Sequence, residues 1–313
     1  MPGFKSHSIF AKIILNGMQK STLKDKIMLH ETCFQMGNQG PDFLFYYLPA
    51  HIIGRNNPGD ILHTTKVSEM FETMLKYRTL YRNDDLNIID SYIAGFFGHY
   101  ILDSKMHPYI YYRTNHLKHI GEITYDFGIH SFLETDIDQA LISHFLHISP
   151  LEYKPWGKIA MTLHERHIIS SLMYHCIKVL YPKLYINKHS ISRAMFMMAL
   201  EQRLMYDRTA RKKAFLRKID QLSVHHAFIS PLVPFVGKTY YKDPLNLQKK
   251  TWTNPWLNSN KSDKSVLEII EESSIKYNTI LEAYNSLIIG IDTSSGKLLK
   301  ELENRSYLTG LEL

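Results

Sequence analysis

Between Ser91 and Pro108 the chain sets His99, Asp103 and His107 at successive four-residue steps. At about 100° per residue, four residues return nearly to the same face of a helix, so His99 and Asp103 stand one turn apart. Their neighbours are Ile93, Ala94, Phe96, Phe97, Ile101 and Leu102, and a carboxylate and an imidazole in so apolar a helix require partners. The stretch His130-Ser-Phe-Leu-Glu134 repeats the device, with two ligand types at i and i+4 and apolar residues between them. Imidazole nitrogen and carboxylate oxygen are donors that zinc accepts. One His-x-x-x-Asp pair is more often an ordinary side-chain pair; five such residues on two amphipathic segments point to a metal cage. His107 precedes Pro108, which biases it out of helical geometry and predicts a helix-terminal position.

The remaining candidates are weaker. The only cysteines are Cys33 and Cys176, too few for a thiolate zinc site or a disulfide framework, so a metal must be held by His and carboxylate. His116, His119 and Glu122 lie in a polar stretch, where solvent exposure is the simpler account. Tyr46 and Tyr47 stand near Asp42 and could line a pocket, although aromatic residues in an apolar run are usually core. The basic run from Arg208 to Lys218 reads as a solvated helix face, of consequence only where it flanks the site.

The elements that must carry these residues are helical. Ser6 to Met18 reads as a first helix with Ile9, Phe10, Ile13 and Ile14 on one stripe, and a second begins at a Ser21 cap and ends at Gly37-Asn-Gln-Gly-Pro-Asp42, a break that lets Asp42 project from a tight loop. Phe43 to Pro49 is a short apolar run read as helix. His51 to Asp60 reads as loop, His63 follows it, and Thr64 or Thr65 caps a helix running to about Tyr81. The central helix starts after Asn83-Asp-Asp-Leu-Asn. Further helical patterns cover about 157 to 181, 188 to 207, 209 to 226, 264 to 287 and 295 to 303, with Pro231 to Pro255 irregular. Strand alternation is almost absent, so the expected fold is all-α, a single-domain multi-helix bundle over residues 1–313 with a metal cluster held between helices.

A chain of 313 residues, 44% hydrophobic and 21% charged, is globular and large enough for a sizeable core. Its formal charge of +7 weakly favours an anionic partner such as phosphate, a phospholipid headgroup or nucleic acid. The N-terminal apolar run is broken by Lys12 and lacks a secretory cleavage site, and no window reaches the roughly 18 apolar residues of a spanning helix. A soluble, cytoplasmic protein without a transmembrane segment is expected.

Taken together, Gly40-Pro-Asp42 before Phe-Leu-Phe-Tyr-Tyr, Gly-Asp-Ile-Leu-His63, Gly-Phe-Phe-Gly-His-Tyr-Ile-Leu-Asp103, His107-Pro-Tyr and His130-Ser-Phe-Leu-Glu-Thr-Asp-Ile-Asp138 resemble the zinc-dependent phospholipase C family. The resemblance extends to Asp243-Pro-Leu-Asn-Leu, Trp252-Thr-Asn-Pro255 and the last long helix. The resemblance implies an all-α fold, akin to the fungal single-strand nucleases, and two zinc ions or up to three. Asp42, His63, His99 and Asp103 match the ligands of one, with Asp42 also the candidate general base. His107, His130 and Glu134 match a second, and His7 with Asp103 would share a third. Two departures leave alternatives open. In secreted members the mature N-terminus helps bind the third zinc, whereas here His7 follows Pro2 closely. The interval from Asp103 to His107 is also shorter than in those enzymes, so His116 or His119 could replace His107.

The function this implies is a zinc-dependent phosphodiester hydrolase, phospholipase C-like, acting through a zinc-activated water on a phospholipid or other phosphodiester, with transient contact at a membrane surface. Two alternatives stand beside it. A single-strand nuclease-like phosphodiesterase would fit the positive charge, but no series of aromatic residues interleaved with Lys or Arg accompanies the ligands. A non-catalytic metal-binding protein would keep the cage without turnover.

Overall fold

The computed structural model describes residues 3–47, 57–118, 129–209, 211–223, 233 and 239–313. In chain order its α-helices are α1 (Phe4–Gly17), α2 (Thr22–Leu29), α3 (Glu31–Gly37), α4 (Pro58–Thr64), α5 (Val67–Arg78), α6 (Asn83–Arg113), α7 (Ser131–Leu141), α8 (Leu163–Leu180), α9 (Lys188–Leu204), α10 (Arg211–Ser223), α11 (Val266–Ile288) and α12 (Gly296–Leu302). Among the described residues the strands are β1 (Trp252–Thr253) and β2 (Lys261–Ser262), a single antiparallel pair. The all-α expectation holds.

Helix α6 is the axis of the molecule. It is buried almost without interruption from Ile88 to Tyr111, because α2, α3, α5, α8 and α11 pack around it on different sides. A helix apolar all round belongs in a core. Its closest neighbour is α3: a Cβ at Gly37 would lie 2.2 Å from the Tyr92 carbonyl oxygen, and one at Gly95 would lie 2.1 Å from that of Phe34. Two glycines thus let the backbones cross nearly in contact, and this crossing brings the end of α3 against the turn of α6 that carries His99.

Polar caps set three helix starts, and Thr162 puts that of α8 at Leu163, whereas the pattern placed it at about 157. Ser21 accepts from the Lys24 amide at 3.2 Å, and Thr162 and Ser265 each close a capping box, with Glu165 and Glu268 respectively. The C-terminal part is tied to α6 as well. The Tyr109 hydroxyl donates to Pro244 O at 2.7 Å, and Arg113 donates to the Asp243 and Lys242 carbonyls at 3.0 and 2.8 Å. Asn246 then donates to the carbonyls of Lys250 and Asp263, closing the loop that leads into β1 and α11.

Several local expectations are corrected. First, α6 does not end at His107 but runs through Pro108 to Arg113. An interior proline costs about 3 kcal/mol, but Met106, Tyr109 and Ile110 beside it are fully buried, each contributing about 1.5–3 kcal/mol. Second, His63 does not follow a loop directly. It lies within α4, whose start is set by Asn57 accepting from the Gly59 amide at 2.8 Å with Pro58 at the first helical position. The next helix begins at Val67 behind Lys66 in left-handed geometry, φ 54°, and not at a threonine cap. Third, the pattern from Ser21 to Gly37 is two helices, broken at His30, where φ is −127° and ψ 49°. The apolar run after Asp42 is a short 3-10 turn, Asp42–Tyr46, and the helix after Glu134 ends in a π-helical turn over Ile142–Leu146. The expected residues 224–226 of α10, the loop at 51–56, and His119 and Glu122 lie outside the described residues.

Candidate metal centre

The eight residues singled out for metal come from five elements and meet in the interior. His7 lies in α1, Asp42 opens the 3-10 turn, His63 is in α4, His99, Asp103 and His107 are in α6, and His130 and Glu134 stand at the start of α7. Asp103 is central and completely buried. Its carboxylate oxygens lie 3.0 Å from His7 Nε2, 3.3 Å from His99 Nε2, and 3.7 Å from both His63 Nε2 and His107 Nδ1. Asp42 Oδ1 is 3.1 Å from His63 Nε2 and 3.7 Å from His99 Nε2. At the far side His130 Nε2 and Glu134 Oε1 are 2.8 Å apart, one turn from each other as their spacing predicts.

Three sets of side chains bring their donor atoms within 4.8 Å of one another: His7 with His99 and Asp103; Asp42 with His63 and His99; and His107 with His130 and Glu134. The second set expected from the resemblance is therefore brought together, His107 included. The first differs in detail. Asp103 groups with His7 and His99, while its Oδ2 still reaches toward His63, so His99 and Asp103 bridge what would be the first and third positions.

The backbone decides which nitrogen each ring presents. His63 Nδ1 lies 2.7 Å from Gly59 O, His99 Nδ1 3.2 Å from Asn38 O, and His107 Nδ1 2.7 Å from Tyr307 O. A carbonyl only accepts, so each Nδ1 carries the proton and each Nε2 is left with its lone pair facing the cluster, the outer-shell arrangement that orients metal-binding histidines. His63 Nε2 and His99 Nε2 face each other at 3.4 Å. Two lone pairs aimed at each other do not hydrogen-bond, whereas a shared cation satisfies both.

The same conclusion follows from buried atoms whose close ring and carboxylate neighbours form no well-aligned hydrogen bond. His7 Nε2, Asp42 Oδ1, both oxygens of Asp103 and His107 Nε2 are buried without a hydrogen bond. Buried polar atoms are nearly always paired, and leaving several unpaired in one place is costly. Burial alone would raise the pKa of Asp103, yet the neighbouring imidazoles of His99 and His107 hold it well below the usual carboxylate range. Burial also pushes His107 well down, toward the neutral imidazole that a metal requires. Donor types, orphaned atoms and tautomers all fit zinc.

Several residues position the site through contacts that spacing along the chain does not show. Gly40 has φ +51°, and a Cβ there would fall 2.0 Å from His99 Cδ2, so only glycine can pass this close to the ring. Asp138 accepts from the Lys5 and Ser6 amides at 3.2 and 2.8 Å and from the Ser6 hydroxyl at 2.5 Å, which fixes the first turn of α1 and with it His7. Burial pushes the Asp138 carboxyl up, an effect that Lys5 partly offsets. Tyr307 supplies the carbonyl for His107 from 200 residues away, and its ring lies against those of His63 and His99.

Other candidates take different places. His116 packs on Tyr111 and Trp256 and is half-buried, not solvent-exposed as the polar stretch predicted, and it joins none of the described metal groups. Tyr47 donates to Tyr185 O at 2.9 Å, and Tyr46 is hydrogen-bonded to Glu201, so both brace the turn that holds Asp42. A further set, His30, Cys33 and Glu165, was not singled out by spacing. There His30 is already occupied at both nitrogens, by Glu165 at 3.1 Å and Asp84 at 3.0 Å.

An all-α frame enclosing a cage of imidazoles and carboxylates defines a helical protein whose buried side chains could hold a metal ion. The chain belongs to the zinc-dependent phospholipase C family, whose family model matches residues 6–191 and thus every one of the eight residues. No curated protein and no solved structure matches the chain. Among the described residues no helix is long and apolar enough to cross a membrane.

Proposed function

We propose that this chain hydrolyses a phosphodiester, with a phospholipid as substrate, and that Asp42, His63, His99, Asp103, His7, His107, His130 and Glu134 hold two zinc ions or up to three. The observation that carries the reading is the convergence of His63 Nε2 and His99 Nε2, each oriented by a backbone carbonyl, on the buried carboxylates of Asp42 and Asp103, with His107 held in the same way beside His130 and Glu134. Zinc supplies Lewis-acid polarisation of water and of phosphoryl oxygens. The chain's own part is to orient and to move a proton. Asp42 keeps 8% of its side chain exposed, against none for Asp103, so it can meet both the cluster and an incoming water. It positions that water and accepts its proton. Glu134 at 14% and His130 at 9% are the other edge that water reaches, which favours turnover over a sealed structural site.

Purified protein is expected to contain zinc and to hydrolyse phosphatidylcholine or a soluble phosphodiester. Asp42→Asn should keep the fold, by circular dichroism, and lower kcat by at least about 10²-fold, the usual share of a general base. Zinc-loaded protein inert toward every phosphodiester tried would remove the proposal. A parallel assay on single-stranded DNA separates the nuclease reading: DNA cleavage without lipid turnover would replace the phospholipid substrate.

A further inference from the structure

Helix α10 and the end of α9 carry a surface that inverts the usual partition of side chains. Lys213 is 4% exposed, while Phe215 is 63% and, on the end of α9, Leu204 is 58% exposed. The inversion has a local cause. Lys213 Nζ donates to Val233 O at 2.7 Å and lies 5.1 Å above the Tyr240 ring, and its amide donates to Asp207 Oδ2 at 3.0 Å. With Lys213 held inward, the helix turns Phe215 out. Lys212 clamps the two helices by donating to the Leu204 and Tyr206 carbonyls at 2.5 and 2.7 Å. Around the apolar pair Arg203, Arg208, Arg211 and Lys218 are exposed. From 203 to 219 the only acid is Asp207, which is buried and whose carboxylate is taken up by the Thr209 and Lys213 amides.

A lone exposed apolar residue needs no explanation. A phenylalanine and a leucine beside four exposed cations, Arg203, Arg208, Arg211 and Lys218, is a different matter, because an anionic bilayer satisfies both features at once. A nucleic acid would use the cations and leave Leu204 in water. The surface is also linked to the metal centre from two directions. Tyr240 packs on Phe132 with ring centroids 3.8 Å apart, and Phe132 lies between His130 and Glu134. On the other side Glu201 of α9 hydrogen-bonds Tyr46, in the turn that Asp42 opens. We infer that α10 and the end of α9 form a docking surface for a bilayer that contains anionic phospholipid, with Phe215 and Leu204 entering the interface and the arginines and Lys218 meeting headgroup phosphates. The inference rests on the phospholipid reading above.

The test is co-sedimentation of the full, zinc-loaded chain with vesicles of phosphatidylcholine alone or mixed with phosphatidylserine, beside the variants R211E/K218E and L204S/F215S. The wild type is expected to bind the mixed vesicles well and the neutral ones poorly. Removing one basic contact should cost about fivefold in affinity, so the charge-reversed pair should lose at least about tenfold, and the serine pair should also lose binding. Both variants should keep the wild-type melting temperature and the wild-type rate on a soluble phosphodiester, since none of the four residues belongs to the metal centre. Equal binding by wild type and both variants would overturn the inference. So would variants that lose affinity for single-stranded DNA while keeping it for vesicles. Because binding is read without turnover, an inactive but vesicle-binding protein would sink the hydrolase proposal and leave the docking surface standing.

Discussion

At the scale of single residues the site depends on which atom each ring presents. His99 offers Nε2 because Asn38 O takes its Nδ1 proton, and Asn38 is in reach because Gly40 lets the chain turn beside the ring. The double variant His99→Ala/His130→Ala is expected to lose most zinc, measured by atomic absorption, whereas His116→Ala should leave zinc content nearly unchanged. The reverse result would show the ligand assignment to be wrong. Gly40→Ala tests the geometry behind the ligand. A side chain there is strained in the left-handed region by about 1–3 kcal/mol and must also displace His99, so both melting temperature and zinc content should fall. A variant that melts lower but binds zinc normally would mean that the ring has another support.

At the scale of elements, each helix near the site is held by a contact distant in sequence. Asp138 of α7 caps the first turn of α1, joining the segments that carry His7 and Glu134. Asp138→Ala should cost about 1–2 kcal/mol, as loss of a helix cap does, and should lower zinc per chain by no more than one, the position that His7 and Asp103 share. Loss of all zinc would place Asp138 nearer the whole cluster than its contacts indicate. A second joint is His30, at the α2–α3 break, which ties Asp84 of α6 to Glu165 of α8. Burial works against its charged form, but hydrogen bonds to the two carboxylates raise its pKa overall, and pairing with His30 contributes to lowering both acids. The raised histidine pKa gives stability that is complete below about pH 6.5, the unfolded value, and is lost as pH rises through the folded one. The lowered acids give stability present above about pH 4 and lost as pH falls through their folded values. His30→Gln should therefore flatten the fall in melting temperature on the alkaline side of this window. An unchanged slope would show that His30 carries no charge there.

At the scale of the whole molecule the proposed metal centre and the core are one object. The cage closes only when α1, α4, α6 and α7 are assembled with the C-terminal Tyr307, and without a cation it buries carboxylates and imidazoles together. Metal bound only by the folded state adds its binding free energy to stability. A chelator should lower the melting temperature by several degrees, zinc should restore it, and the His99→Ala/His130→Ala variant should scarcely respond. A melting curve indifferent to chelator in the wild type would separate the cluster from the fold.

Much of this was legible in the sequence. The four-residue steps at His99, Asp103 and His107 and at His130 and Glu134 lie on helices, and helical spacing fixes which side chains share a face without reference to anything distant. The absence of strand alternation gave an all-α class for the same reason, since periodicity is a local property. What periodicity could not supply was contact between segments. It ended α6 at Pro108, because the burial of Met106, Tyr109 and Ile110 that offsets the proline comes from other elements. It had no means of tying Asp138 to Ser6, Tyr307 to His107 or Asn38 to His99, where the donor or acceptor is often a backbone group that every residue possesses. It read the basic run after Arg208 as a plain solvated face, since the inward turn of Lys213 that exposes Phe215 depends on Val233 and Tyr240. Residue types and spacing thus set His99 one turn from Asp103 and His130 one turn from Glu134, and the family resemblance added His7, Asp42 and His63 as candidates, while the tertiary structure decided which nitrogen faces the cluster, which carboxylates are shared and which surface carries the exposed apolar residues.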